Sequence, residues 1–290
     1  MPIRIAIASG KGGTGKTTVA SRLYSYFSSE TSSGVMLVDC DVEEPNAALF
    51  FPDAEKKEEK KVYQEIPVIN GDKCNYCRKC TAYCEFNAIL VMPPVKFAEI
   101  NPSLCHSCGA CEVACQEDAI EIRQHQIGVL NKYNTSSGGG IREGLLDIGS
   151  AMQTMVIRER LKSLSPDNRI IILDAPPGTS CPVVETISGT DYVVLVSEPT
   201  PFGLYDLGLM VDLVREMSLP FGVVINKAGL GDRKIYDYLE KEDIPLLGEI
   251  PFEESYARAY AEGKLFHDAP DSIEKAYQSL SEKLIQTLSL

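Results

Sequence analysis

Residues 10–18 read GKGGTGKTT, and the fold follows from this stretch. Gly10, Gly15, Lys16 and Thr17 satisfy the spacing G-x-x-x-x-G-K-[ST]. The motif acquires meaning only between a strand and a helix. Residues 3–9 are a short apolar run suited to a buried strand, and residues 16–27 read as the helix that follows. Glycines there let backbone N–H groups close on phosphates, at a helix N-terminus that already favours anions. Lys16 would reach the β- and γ-phosphates of a nucleotide, and the Thr17 hydroxyl would bind Mg²⁺. With Lys11, Gly12, Gly13, Thr14 and Thr18, these residues make up the expected phosphate loop.

Outward from the loop, further apolar runs at 35–39, 170–174, 192–196, 222–226 and 246–250 suit parallel strands buried on both faces. Helical stretches are expected at 143–164, 204–217 and 232–242. Such alternation predicts an α/β fold with a doubly wound, mostly parallel sheet. Ligand chemistry then gathers at the carboxyl ends of the strands. Asp39 and Asp41 end the second strand, where a carboxylate can orient an attacking water, stand behind Mg²⁺, or simply cap a turn. Asp174 follows an apolar run and precedes Ala-Pro-Pro-Gly. Asn226-Lys227 begins an N-K-x-D pattern whose acidic position is Gly229. Without that acid guanine is not read, which favours adenine and hence ATP and ADP.

Eight of the 10 cysteines fall in two copies of C-x2-C-x2-C-x3-C. Cys74, Cys77, Cys80 and Cys84 form the first, and Cys105, Cys108, Cys111 and Cys115 the second. This is the ligand run of bacterial ferredoxins, in which each fourth cysteine serves the other run's cluster. Two 4Fe–4S clusters are therefore expected, one on Cys74, Cys77, Cys80 and Cys115, the other on Cys105, Cys108, Cys111 and Cys84. Zinc also uses C-x2-C pairs. Two zinc sites, however, do not require the third and fourth spacings to repeat. The repeat also outlasts the ligands: Ile69-Asn70 recurs as Ile100-Asn101 and Ala88-Ile89 as Ala119-Ile120, at an offset of 31. One feature departs from the run, since Glu85 and Gln116 stand where a proline usually follows the fourth cysteine.

The run AEKKEEKK at 54–61 reads as a charged linker, and NKYNTSSGGG at 131–140 as a second loop. Residues 1–61 and 127–290 would then form one discontinuous nucleotide-binding domain, interrupted by an α+β ferredoxin-like insert at 62–126. The formal charge of −13 argues against nucleic acid as a partner. No apolar run approaches the ~20 residues of a membrane span. The chain opens directly into a strand, so a cytoplasmic location with reduced thiols is expected.

The strings KGGTGKTT, VDCDVEEPN, LDAPPGTSCPV, SEPTPFGLYDL, VINKAG and GEIPFEESYARAYAEGKL, with the cysteine runs, resemble the MinD/Mrp/nitrogenase-iron-protein group of P-loop ATPases. Specifically, they resemble its members with an inserted ferredoxin domain. The resemblance covers essentially the whole chain. It implies that Lys11 reaches the partner's phosphates in an ATP-sandwiched dimer. It also implies that Asp41 positions water in switch I, that Asp39 lies nearer the metal, and that Asp174 holds Mg²⁺, usually through water. Gly178 would face the γ-phosphate in switch II, and Asn226 and the loop after Pro251 would flank the base. Cys181 lies near switch II, but the bridging cluster of the nitrogenase iron protein takes two such cysteines per subunit. This chain offers no obvious second, so a structural role is expected for Cys181, as for Cys40.

Three functions remain in view. The first is an ATPase coupled to electron transfer, and the second an ATPase for assembly or delivery of metal clusters. The third is a positioning ATPase of the MinD or ParA kind. A homodimer, a heterodimer with a related ATPase, or a small metal-cluster protein of the dinitrogenase-cofactor-binding type are the partners implied. The final amphipathic helix, 271–289, carries Ile273, Tyr277, Leu280, Leu284 and Leu288 on one face, but its polar face is not basic. A membrane-surface helix wants Lys and Arg there, so this one is expected to pack on its own domain.

Overall fold

The structure, a computed structural model, describes residues 2–30, 34–136, 139–266 and 269–289. It divides into two compact units: Met1–Glu59, Leu130–Leu145 and Ile157–Leu290 form one, and Lys60–Val129 with Leu146–Val156 the other.

The first unit is built on strands β1 (Ile3–Ala8), β2 (Val35–Asp39), β7 (Gly140–Leu146), β8 (Ile170–Asp174), β9 (Tyr192–Ser197), β10 (Phe221–Ala228) and β11 (Leu246–Pro251). Their sequences, such as IIILD and YVVLVS, are near-continuous β-branched runs. Such strands suit a sheet covered on both faces. Their order is β11-β10-β9-β1-β8-β2-β7, and every one of these neighbours runs parallel. The order then continues to β6 (Ile120–Asn134) and β3 (Glu55–Ile69), two long strands that each run from the first unit into the second.

Helices α1 (Lys16–Glu30), α5 (Cys181–Ile187), α6 (Pro201–Glu216), α7 (Lys234–Lys241), α8 (Glu254–Ala261) and α9 (Asp271–Leu288) complete the unit, with α4 (Gln153–Lys162) from Ile157 onward. Val19, Leu23 and Phe27 of α1 and Ile273, Leu280 and Leu284 of α9 are buried in one cluster with Ile5, Ile7, Ile170 and Ile172. Each such side chain contributes roughly 1.5–3 kcal/mol. The last helix thus packs on its own unit, as its acidic polar face implied. Arg22 of α1 is buried in the same layer. Its guanidinium donates to Tyr256 at 2.9 Å, Glu274 at 2.8 Å and the Leu265 carbonyl at 2.7 Å. It also lies over the rings of Tyr256, Phe266 and Tyr277. Helix α6 starts where Thr200 accepts a hydrogen bond from Gly203 N and Pro201 takes the first helical position.

Three local expectations are corrected. Residues 54–61 are not a linker: from Glu55 onward they open β3, the last strand in the sheet order. Its first seven residues, Glu55–Lys61, are charged and exposed and show no hydrophobic period, and such charge guards an edge. The helix expected over 143–164 begins only at Gln153. Before it, residues 140–143 pair with β2, Gly144 is unfavourable in a helix interior, and Gly149 turns the chain at φ +85. Of the loop expected over 131–140, residues 131–134 belong to β6 and Gly140 to β7, while 137 and 138 lie outside the described residues.

The second unit is internally duplicated. Strands β4 (Ile89–Met92) and β5 (Phe97–Ile100) pair antiparallel. Short helices α2 (Lys79–Ala82) and α3 (Ala110–Ala114) occupy matching places. Asn101 N donates to Ala88 O at 2.8 Å, and its mate Asn70 N donates to Ala119 O at 2.7 Å. Left-handed backbone recurs in pairs, at Tyr76 and Ser107, Arg78 and Gly109, and Asn87 and Asp118. Among the described residues no helix is long and apolar enough to cross a membrane.

Candidate nucleotide site and cysteine cradles

The loop from Ser9 to Gly15 connects β1 to α1 at the carboxyl edge of the sheet. Close approach dictates its glycines. A Cβ on Gly10 would lie 2.3 Å from the Asp206 carbonyl of α6, and one on Gly15, at φ +93, would lie 2.2 Å from Asn226 Nδ2. Asn226 Nδ2 instead donates to Thr14 O at 2.7 Å. Ser9 Oγ donates to Lys11 O at 2.6 Å, and Gly178 N donates to Ser9 O at 3.0 Å, tying the loop to the segment after β8. Lys16 is buried at the start of α1. Burial lowers its pKa, and the charges of Asp174, Asp41 and Asp39 oppose that shift.

Asp39 and Asp174 face each other in register on adjacent strands, and both are buried. Their roles differ. Asp39 accepts backbone hydrogen bonds from Asp41 at 3.0 Å, Asn46 at 2.8 Å and Ala47 at 2.9 Å, so its two oxygens hold the turn that carries Asp41. Asp174 is hydrogen-bonded to Thr17, yet its Oδ1 is buried with no partner. Burial pushes both carboxyls up, and that orphaned oxygen beside a hydroxyl suits a divalent cation. Asp41 is half-buried, its pKa raised by burial and lowered by backbone N–H groups of Glu44 and Glu43 and by Lys16.

A cavity beside the loop is lined by Gly13, Gly15, Thr18, Asn226 and Pro251, together with Phe252, Tyr256 and Tyr260. Apolar and aromatic walls next to a phosphate loop suit a nucleobase.

In the second unit the eight cysteines divide between two cavities. Cys74, Cys77, Cys80 and Cys115 line one, and Cys84, Cys105, Cys108 and Cys111 the other. The fourth cysteine of each run thus lies with the other run. Backbone N–H groups point at four sulfurs: Tyr76 N to Cys74 and Ala119 N to Cys115 at 3.4 Å, Ser107 N to Cys105 at 3.4 Å, and Ala88 N to Cys84 at 3.3 Å. Burial raises the Cys80 thiol and pushes its mate Cys111 up to about 11. Among the described residues no three His, Cys, Asp or Glu side chains gather as tightly as one ion requires. Each set of four surrounds a void instead. Cys181 is exposed at the start of α5, and Cys40 is buried, its thiol raised by burial.

The profile of the CobQ/CobB/MinD/ParA nucleotide-binding domain matches residues 5–266. The chain belongs to that family. An uncharacterised protein of Methanocaldococcus jannaschii is 32% identical over 97% of this chain and 96% of its own length. An iron–sulfur cluster carrier protein of Pyrococcus horikoshii is 25% identical, covering 98% of this chain and 86% of the carrier. In fold the chain resembles the septum site-determining protein MinD of Pyrococcus horikoshii, solved with Mg-ADP. The TM-score is 0.60 at 19% identity, over 99% of this chain and 98% of that one.

This member of the CobQ/CobB/MinD/ParA family places Lys11 beside Glu198, a residue that sequence reasoning missed. Glu198 follows β9; its Oε2 lies 3.4 Å from Lys11 Nζ and its Oε1 2.5 Å from Lys227 Nζ. Lys227 also donates to Gly13 O at 3.2 Å. Tyr256 and Tyr260 in the cavity beside the loop were also missed, although their spacing of four residues puts both on one face of α8.

Proposed function

We propose that this chain is an ATPase carrying two 4Fe–4S clusters, in which a nucleotide-driven dimer switch is coupled to electron transfer. The observation that carries the reading is the division of eight cysteines into two crossed sets of four, each around its own void. That donor set fits a 4Fe–4S cluster, and the second unit would then be a ferredoxin-like insert. Bound there, the clusters supply one-electron chemistry.

The residues of the first unit take the following roles. Loop amides and Lys16 bind the β- and γ-phosphates. Thr17 and Asp174 hold Mg²⁺, directly or through water. Asp41 positions the attacking water, while Asp39 acts at one remove by fixing the turn on which Asp41 sits. Gly178 faces the γ-phosphate. Asn226 and the aromatic cavity after Pro251 hold adenine, and the glycine at position 229 leaves guanine unread. Lys11 leaves Glu198 to reach the phosphates of a second copy, which makes hydrolysis slow in the isolated monomer.

Protein prepared without oxygen should hold about eight irons and show a thiolate-to-iron charge-transfer band that dithionite bleaches. Stoichiometric zinc without iron would refute the reading. Likeness to an iron–sulfur cluster carrier protein favours a second reading, ATP-dependent delivery of clusters to a small metal-cluster protein. The two separate in one assay. A relay keeps its iron through ATP turnover with an apo-acceptor present, whereas a carrier loses it.

A further inference from the structure

The two cradles are related by the offset of 31 residues, so most lining residues have a mate in the other lining, and several mates differ in kind. Arg78 and Lys79 line the first cavity; their mates in the second are Gly109 and Ala110. Over the first cavity, Asn75 donates to Glu117 at 3.0 Å. Over the second, the matching positions hold His106 and Phe86, stacked at 3.9 Å between ring centroids. Cys105 and Cys111 of the second cradle are each 7% exposed, whereas their mates Cys74 and Cys80 are less buried. Gln64, itself buried, donates to the Cys105 carbonyl at 2.5 Å, further closing that side.

Resting on the two-cluster reading above, we infer that the clusters have unequal reduction potentials. The cluster on Cys74, Cys77, Cys80 and Cys115 takes the electron first, and Arg78 and Lys79 set the difference. The step is a one-electron reduction by a low-potential reductant such as dithionite, with no bond made or broken. It leaves a cluster held by four thiolates one unit more negative. Water and nearby cations stabilise that added charge, and burial in an apolar wall opposes it. The first cradle has two cations against the single carboxylate of Glu117, and less buried sulfurs. The second has no cationic mate at those two positions, an aromatic cover and two buried sulfurs. Both differences push the same way.

Backbone geometry supports a role for the Arg78 side chain. Arg78 sits at φ 64 and its mate Gly109 at φ 73. Glycine adopts this left-handed conformation freely, whereas a side chain is strained there. A strained residue at a site is grounds for asking what its side chain does.

The test is an EPR-monitored redox titration of the full chain, loaded with iron without oxygen. Wild type should give two separated one-electron waves. Replacing Arg78 and Lys79 by their mates (Arg78→Gly with Lys79→Ala) should lower the upper wave by at least a tenfold change in the reduction equilibrium, which is 59 mV for one electron. The lower wave should stay in place. Ala110→Lys should raise the lower wave. Lys79→Ala alone changes only an exposed side chain and should shift the upper wave in the same direction if the double variant holds less iron. Two coincident waves in wild type, or an upper wave indifferent to these changes at full iron content, would overturn the inference while leaving two clusters standing. A chain that takes up no iron would instead remove the two-cluster reading and this inference with it.

Discussion

In the nucleotide-binding unit, Ile5, Ile7, Leu23, Leu37 and Ile172 are wholly buried, in a core that also includes Val194 and Leu280. The cysteine unit gathers Ile66, Ala88, Ile89, Val91 and Ile100 round its cradles and counts Cys105 and Cys111 in the same cluster. One unit can be stabilised by apolar burial alone. The other is the smaller, and cysteine side chains make up part of its core. A core with few large apolar side chains gains most from ligation, if the proposed clusters bind. Metal affinity then becomes folding free energy. With the proposed clusters bound, the chain would have two separate sources of order, one of them removable.

Removing iron should break this comparison most visibly. Chelation under reducing conditions should abolish hydrogen-exchange protection in residues 60–129 while ATP still binds the first unit. Persistent protection there would mean that the cysteine unit folds by burial after all. Next in size, Lys16→Ala should abolish ATP binding by equilibrium dialysis and leave iron content unchanged. Asp41→Ala should bind ATP yet hydrolyse it at least ~10²-fold more slowly, as expected when a water-positioning group is lost. Wild-type turnover would remove Asp41 from that role.

A smaller change is expected at Arg22, the buried cation between α1, α8 and α9. Arg22→Ala removes three hydrogen bonds and its aromatic contacts, and should cost roughly 2–4 kcal/mol, read from urea unfolding of the first unit. Charge-transfer absorbance of the clusters at zero urea should not change. An unshifted midpoint would show that the α1–α9 layer does not depend on this cation. The smallest effect is expected at Glu198. Glu198→Gln weakens the hold on Lys11 and should raise the ATPase rate a few-fold, as for a change of about 0.5–1 kcal/mol in a partly exposed ion pair. A lower rate would show that Glu198 supports Lys11 rather than restraining it.

The parallel sheet was legible because β2 and β8 are unbroken apolar runs that end on Asp39 and Asp174, so local pattern and global fold agree. The grouping of the cysteines in two cavities was legible because the spacing matches the ferredoxin run, in which each fourth cysteine lies with the other run, and the repeated flanks marked the duplication. β3 was not legible. The segment Glu55–Lys61 is exposed and uniformly charged, and it is a strand by backbone pairing, which leaves no side-chain period to read. Glu198 was hidden for another reason: its pairing with Lys11 joins residues 187 apart, and no local pattern announces such a contact. Asp39 shows a third limit. The family resemblance implies a place near the metal; its backbone hydrogen bonds to Asp41, Asn46 and Ala47, invisible in sequence, add a hold on the turn.

The central claim is that nucleotide state and cluster potential are linked. Strands β3 and β6 each continue from the nucleotide-binding unit into the cysteine unit, so a change at one end of the chain has a covalent route to the other. A coupling of ~1–3 kcal/mol is typical of allosteric proteins, and about 1.4 kcal/mol corresponds to 59 mV for one electron. The most direct measurement is an EPR-monitored redox titration of the Asp41→Ala protein, apo, with ADP and with ATP. The account predicts that at least one wave moves by tens of millivolts with ATP, and that cluster reduction changes ATP affinity by the matching factor. Three superimposable titrations would contradict it.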